Sequence, residues 1–193
     1  MAESTPWDAA AAVRACRIRS WSGEVWRCHS RNRAGDSASG SLKLSGRFNR
    51  GTDRFPEHDT WAALYTGIGQ HVALAERIRH TTPEALQRLG NQRLSRLWVD
   101  LNDVLVACAP TGCADLSVPG LTRDEMCHPT DYTKTHEFAC IARESVEALL
   151  VPTCTRFPEG NLIIFPDRLH ATSSVHLIDS QDPDLFVDWA NFP

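Results

Sequence analysis

Three residue types in order define what this chain could do chemically. Arg47 lies in the turn-like segment Ser45-Gly46-Arg47-Phe48-Asn49-Arg50-Gly51, Tyr65 in the apolar run Ala63-Leu64-Tyr65-Thr66, and Glu76 in Ala73-Leu74-Ala75-Glu76-Arg77. An arginine's rigid fork can clamp phosphate, an aromatic ring can face a flat heterocycle, and a carboxylate can stabilise a ribosyl cation. These are the residue types a dinucleotide-cleaving site needs. Taken singly, each has an ordinary use. Arg47 could be a solvated loop arginine and Tyr65 a core residue with its hydroxyl at the rim. Glu76 could pair along its helix with Arg79 or His80.

The elements that must position them can be read from periodicity and breakers. Alternation over residues 24–29 predicts a first strand, residues 32–40 a loop, and residues 41–44 a short second strand entering the Gly46-Arg47-Phe48-Asn49 turn. Residues 61–66 read as a buried strand. Gly67 and Gly69 then break the chain before a helix over 70–80. In that helix Glu76 falls one turn after Val72 on the same face, so its carboxylate points coreward and needs a partner or a task.

Further along, residues 82–90 carry start and stop signals for a short helix, and 93–107 read as one or two strands. A short helix is expected near 121–126 and a longer one over 134–147. Strands follow at 148–153, 160–166 and 174–179, with a terminal one at 185–189. At the start, Thr5-Pro6 reads as a cap for an alanine-rich helix over 7–19. Strands and helices mix without regular βαβ alternation, which predicts an α+β fold. Gly67-Ile68-Gly69 does not complete a Rossmann glycine fingerprint.

Bulk composition narrows the classes. The chain has 193 residues, 42% apolar and 23% charged, which suits one soluble domain. A net charge of -4 gives no broad footprint for nucleic acid. No apolar run approaches a membrane span, and an acid stands where a signal peptide would carry lysine or arginine, so the expected compartment is the cytoplasm. The seven cysteines, an odd number, are therefore expected to be reduced thiols. Cys108, Cys113 and Cys127-His128 lack zinc-ligand spacing, so no metal is expected. The histidines at 29, 71 and 80 have neither triad nor metal spacing.

With these pieces in order, the chain resembles the RES-domain family of toxins. The resemblance is carried by Val25-Trp26-Arg27, Gly46-Arg47-Phe48-Asn49-x-Gly51, Leu64-Tyr65-Thr66, Ala73-Leu74-Ala75-Glu76, Leu150-Val151-Pro152-Thr153 and Asn161-Leu162-Ile163. It implies residues 23–193 as the domain proper, with 1–22 as a helical extension. It also implies an ADP-ribosyltransferase-like fold, with small mixed or antiparallel sheets and flanking helices around an NAD-binding cleft.

The implied activity is NAD glycohydrolysis or phosphorolysis, with NAD as substrate, phosphate as a further co-substrate, and no bound cofactor. Protein ADP-ribosylation, or a catalytically silent binding module of the same shape, are the alternatives. The implied partner is an Xre-type antitoxin. The catalytic set carried over is Arg47, Tyr65 and Glu76, with Arg27, Arg47, Asn49, Tyr65 and Thr153 contacting NAD. Two departures stand out. The family's serine after Val-Pro is Thr153 here, and the acid that members often carry near 104–108 is matched only by Asp103 slightly earlier.

Overall fold

The computed structural model describes residues 7–79 and 89–183. In chain order these form α1 (Ala9–Ala15), β1 (Arg17–Ser30), β2 (Leu64–Gly67), α2 (Gln70–Arg79), β3 (Gln92–Val106), a hairpin of β4 (Cys108–Ala109) and β5 (Gly112–Leu116), α3 (Arg123–Met126), α4 (Thr133–Ala142), β6 (Ala148–Pro152), β7 (Gly160–Ile164) and β8 (Ser174–Gln181). The fold is mixed α+β.

β3 is the spine. One edge pairs antiparallel with β1 from Arg17↔Val106 to Ser30↔Gln92. The other edge is shared between β8, from Leu94↔Gln181 to Asp100↔Ser174, and β6, which joins parallel at Val104↔Ala148. β6 pairs with β7, β7 with β2, and β2 returns to β1 through Trp26↔Gly67. Five strands thus close into a ring, and β8 branches off it. A parallel β3–β6 pair requires a long crossover, and residues 107–147 supply it with the hairpin, α3 and α4.

Both faces of β6 and β7 are covered, which is why these strands read as unbroken apolar runs. Leu149, Val151 and Ile163 join Phe48, Trp61, Met126 and Phe138 in a cluster that includes Ala12 of α1. Leu150, Leu162 and Ile164 alternate to the other side and meet Val25, Leu97, Val99 and Val104, which come from the ring strands. Each such side chain contributes about 1.5–3 kcal/mol on burial.

Several sequence expectations change. β1 begins at Arg17, and residues 17–22 pair with β3, so the sheet includes part of what read as an N-terminal extension. The helix before it is shorter and is capped by Asp8, whose Oδ1 accepts from the Ala11 amide at 3.0 Å. Residues 41–44 are turns: Leu42 and Leu44 are 39% and 67% exposed, so their alternation has no sheet behind it. The 93–107 stretch is one strand. α4 stops at Ala142, and Val146 and Glu147 are buried beyond its end. Cys127 and Cys154 form a disulfide where reduced thiols were expected. The Thr5-Pro6 cap, His80, the helix read at 82–90 up to residue 88, and the strand at 185–189 lie outside the described residues.

Candidate active site

The segment carrying Arg47 is held from within. Asn49 is fully buried, and its Oδ1 accepts from the Gly46 amide at 3.0 Å and from the Tyr65 hydroxyl at 2.9 Å. Its Nδ2 donates to the Ser41 and Leu44 carbonyls. The Tyr65 hydroxyl in turn accepts from the Phe48 amide at 2.8 Å. A Cβ on Gly46 would stand 2.7 Å from both the Asn49 Oδ1 and the Tyr65 hydroxyl, so only glycine lets the turn close on its latch. Burial pushes the Tyr65 phenol above its usual range, which keeps it a neutral donor.

Glu76 is the hub. α2 starts beside Gly67, where a Cβ would meet the Ala73 amide nitrogen at 2.7 Å, so the helix packs directly on the end of β2. Its apolar residues Val72, Ala73, Leu74 and Ala75 are buried, and Glu76 follows them with its side chain only 14% exposed. Oε1 accepts from the Thr153 hydroxyl at 2.7 Å, the Cys154 amide at 2.7 Å and Asn161 Nδ2 at 2.8 Å. Oε2 accepts from Arg47 Nη2 at 3.1 Å, and Arg79 Nη1 lies 3.9 Å away. Burial alone would raise this carboxyl's pKa. The Arg47 guanidinium and the donors on Oε1 outweigh it and hold the group below the usual carboxylate range. Glu76 is thus an ionised, oriented charge and not a proton carrier near neutrality.

Arg47, Tyr65 and Glu76 line one cleft of about 560 Å³ with Arg27, Asn49 and Asn161. Arg33 and Arg77 line it too, so among the described residues four guanidiniums and one carboxylate stand in its wall. That charge balance suits a polyanion. Arg27 also donates to the Gly35 and Ser37 carbonyls at 2.9 and 2.6 Å, tying the 31–40 loop to the cleft wall. Burial, and then neighbouring Arg33, lower Arg27 to about 10.

The expected set therefore converges, but its members divide the work. Asn49 holds the loop with all its hydrogen-bonding groups. Thr153 is fully buried and gives its hydroxyl to Glu76, so it addresses that carboxylate and does not line the cleft. Asp103 pairs with His170 at 3.5 Å, away from the cleft lining.

The RES domain family model matches residues 24–188. The chain belongs to the RES domain family. No curated protein matches it. Among solved structures, a chain in the crystal structure of the M. tuberculosis MbcT–MbcA toxin–antitoxin complex aligns with a TM-score of 0.71 at 19% identity, covering 92% of this chain and 93% of that one. At that identity the likeness concerns the fold.

Sequence reasoning missed three parts of this RES domain's site. Asn161 was visible only as a motif letter; its amide is now a ligand of the Glu76 carboxylate. His136 gave no signal on its helix. It is 5% exposed and its Nε2 bonds the Gly46 carbonyl at 2.7 Å, which makes Nε2 the protonated nitrogen, since a carbonyl only accepts. The Cys127–Cys154 bridge sits directly behind Glu76, and a 27-residue separation between scattered cysteines did not reveal it. A buried acid elsewhere, Glu147, accepts from the Asn102, Asp103 and His170 amides and so joins β3 to the 165–173 loop without entering the cleft.

Proposed function

We propose that this RES domain is an NAD-degrading toxin that cleaves the bond between ribose C1′ and the nicotinamide nitrogen. One observation carries the reading: Glu76 is kept ionised by Arg47 and three further donors in the wall of an arginine-lined cleft. As the glycosidic bond breaks, its electron pair passes to the nicotinamide ring nitrogen, and positive charge develops on the ribose. A fixed carboxylate stabilises that charge without reorganising. Water or phosphate then donates an oxygen lone pair to C1′ and loses a proton, giving ADP-ribose or its 1-phosphate.

In this reading the ADP-ribosyltransferase-like scaffold brings the pyrophosphate against Arg47 and Arg27, with Arg33 and Arg77 alongside, while the Tyr65 ring packs near nicotinamide. Thr153 keeps the hydroxyl of the family's serine on Glu76, and its extra methyl does not displace that contact. This argues against a silent module. An antitoxin of the Xre type is the proposed partner. The likeness to a chain from a toxin–antitoxin complex supports it, as does Leu44, which lines the cleft and is exposed.

Transfer of ADP-ribose to a protein draws on the same exposed leucine at the cleft, which a protein acceptor would cover. The deciding experiment is NAD consumption by purified protein, with and without phosphate, with products separated by chromatography and Glu76→Ala alongside. Loss of NAD in the wild type alone is expected, and product mass separates hydrolysis from phosphorolysis. Intact NAD in both, or equal loss in both, sinks the assignment. Label appearing on a protein would move the reaction to transfer.

A further inference from the structure

We propose that the Cys127–Cys154 disulfide is a redox-modification site controlling the Glu76 carboxylate: closed, it holds the segment after β6 on that carboxylate, and opened by a dithiol it releases the segment and lowers turnover. The proposal rests on the reading of Glu76 as the catalytic charge.

The linkage is short and physical. Cys154 gives its backbone amide to Glu76 Oε1 at 2.7 Å, and its neighbour Thr153 gives the same oxygen a hydroxyl at 2.7 Å. Two of the three donors on Oε1 thus come from residues at or next to the disulfide. Cys154 Sγ also lies against Arg47 Nη1, the other nitrogen of the guanidinium that reaches Glu76. At the other end, Cys127 caps α3 at its C-terminus, and its carbonyl accepts from Arg79 Nη2 at 2.6 Å. One covalent bond therefore joins α3 to the Glu76 cradle, and each end touches an arginine that approaches the carboxylate.

Access and reversal are both provided for. The two cysteines are half-buried, so a small dithiol can reach them, and residues 153–159 form no regular element, so the backbone around Cys154 can shift locally once the bridge opens. A thiolate of the dithiol attacks one protein sulfur, and its second thiolate then resolves the mixed disulfide. Two electrons and two protons pass to Cys127 and Cys154, and the reagent becomes the disulfide. The opened ends shift but stay tethered. Arg123 of α3 donates to the Thr153 and Thr155 carbonyls at 2.8 and 3.0 Å, an independent tie between the same two segments that keeps the thiols within range for reclosure.

Thiol counting under denaturing, non-reducing conditions comes first. Seven cysteines less the two in the bridge leave five free, so five thiols are expected before dithiothreitol and seven after it. Amide exchange over residues 153–157 should then quicken on reduction. NAD turnover should fall roughly ten-fold, the scale of weakening a charge-positioning contact, and return on reoxidation. Cys127→Ser and Cys154→Ser should each sit at the reduced rate and ignore dithiothreitol. Seven thiols in the untreated protein overturn the proposal, as does unchanged exchange in the opened form or equal turnover in both states. NAD left intact in both states would instead defeat the enzymatic reading, and the thiol count and exchange would still decide whether the bridge holds the segment.

Discussion

Asn161 Nδ2 donates to Glu76 Oε1 at 2.8 Å, across 85 residues of sequence, and so fixes the direction in which the carboxylate faces the cleft. Asn161 is itself only 4% exposed, which makes this a desolvated, charge-assisted bond. Asn161→Ala should lower kcat for NAD consumption about 10- to 100-fold with little change in KM, because the contact positions a charge and is not a general binding contact. Asn161→Asp should be worse, since it sets a second carboxylate against the first. Steady-state kinetics check this. A rise confined to KM would place Asn161 among the substrate contacts instead.

The Arg47–Glu76 pair predicts a distinctive pattern of stability. Both side chains are largely buried, at 7% and 14% exposed, so removing one strands the other's charge. Arg47→Met or Glu76→Leu alone should each destabilise by about 3–5 kcal/mol. The double substitution should cost clearly less than the sum, since the Arg47 and Glu76 charges are then removed together and neither is left without the other. Urea unfolding of the four proteins measures it. Strict additivity would mean that the two charges do not depend on each other.

How much of this was legible in the sequence differs by residue for physical reasons. Arg47, Tyr65 and Glu76 could be found because each sits in a locally patterned segment, and Glu76 on an apolar helix face announces itself as a misplaced charge. The buried strands β6 and β7 could be found because both faces are covered and the apolar run is continuous. The Leu42–Leu44 alternation misled, since period two is equally available to a turn whose leucines face solvent. Long-range partners such as His136 to Gly46, 90 positions apart, leave no local trace. The length of β1 was hidden because residues 17–20 are exposed at the sheet's end and lack an apolar period.

Acidification should destabilise the protein in two steps. Burial, reinforced by Arg50 and Arg54 and opposed by the Gly46 carbonyl, lowers the pKa of His136. Burial does the same for His29, with the Ser30 carbonyl opposing. A histidine lowered in the fold leaves stability intact above its unfolded value of about 6.5, and stability falls below that pH as the unfolded chain takes up the proton. Glu76, depressed in the fold, contributes fully above about 4.3 and loses that contribution as the pH drops through its folded value. Unfolding free energy measured from pH 8 to about pH 2 should therefore decline from about 6.5 downward and again below about 4.3, and His136→Gln should flatten the first step. A profile already flat in the wild type between pH 5 and 7 would contradict the histidine assignment.

The turn that carries Arg47 should be sensitive to a single methyl group. Gly46→Ala places a Cβ 2.7 Å from two atoms at once, Asn49 Oδ1 and the Tyr65 hydroxyl, and neither is a floppy chain end. Asn49 is committed to the Ser41 and Leu44 carbonyls, and Tyr65 to the Phe48 amide, so relief must come from shifting the turn itself. Tyr65→Phe tests the same latch without a clash, removing one donor to Asn49 and one acceptor for Phe48. It should cost about 1–3 kcal/mol, the scale of leaving buried partners unmet. Gly46→Ala should cost at least as much and should also lower NAD turnover, because Arg47 is the next residue and moves with the turn. Thermal unfolding with parallel NAD assays separates the two effects. If Gly46→Ala kept both its melting temperature and its turnover, the Asn49–Tyr65 latch would not be what positions Arg47.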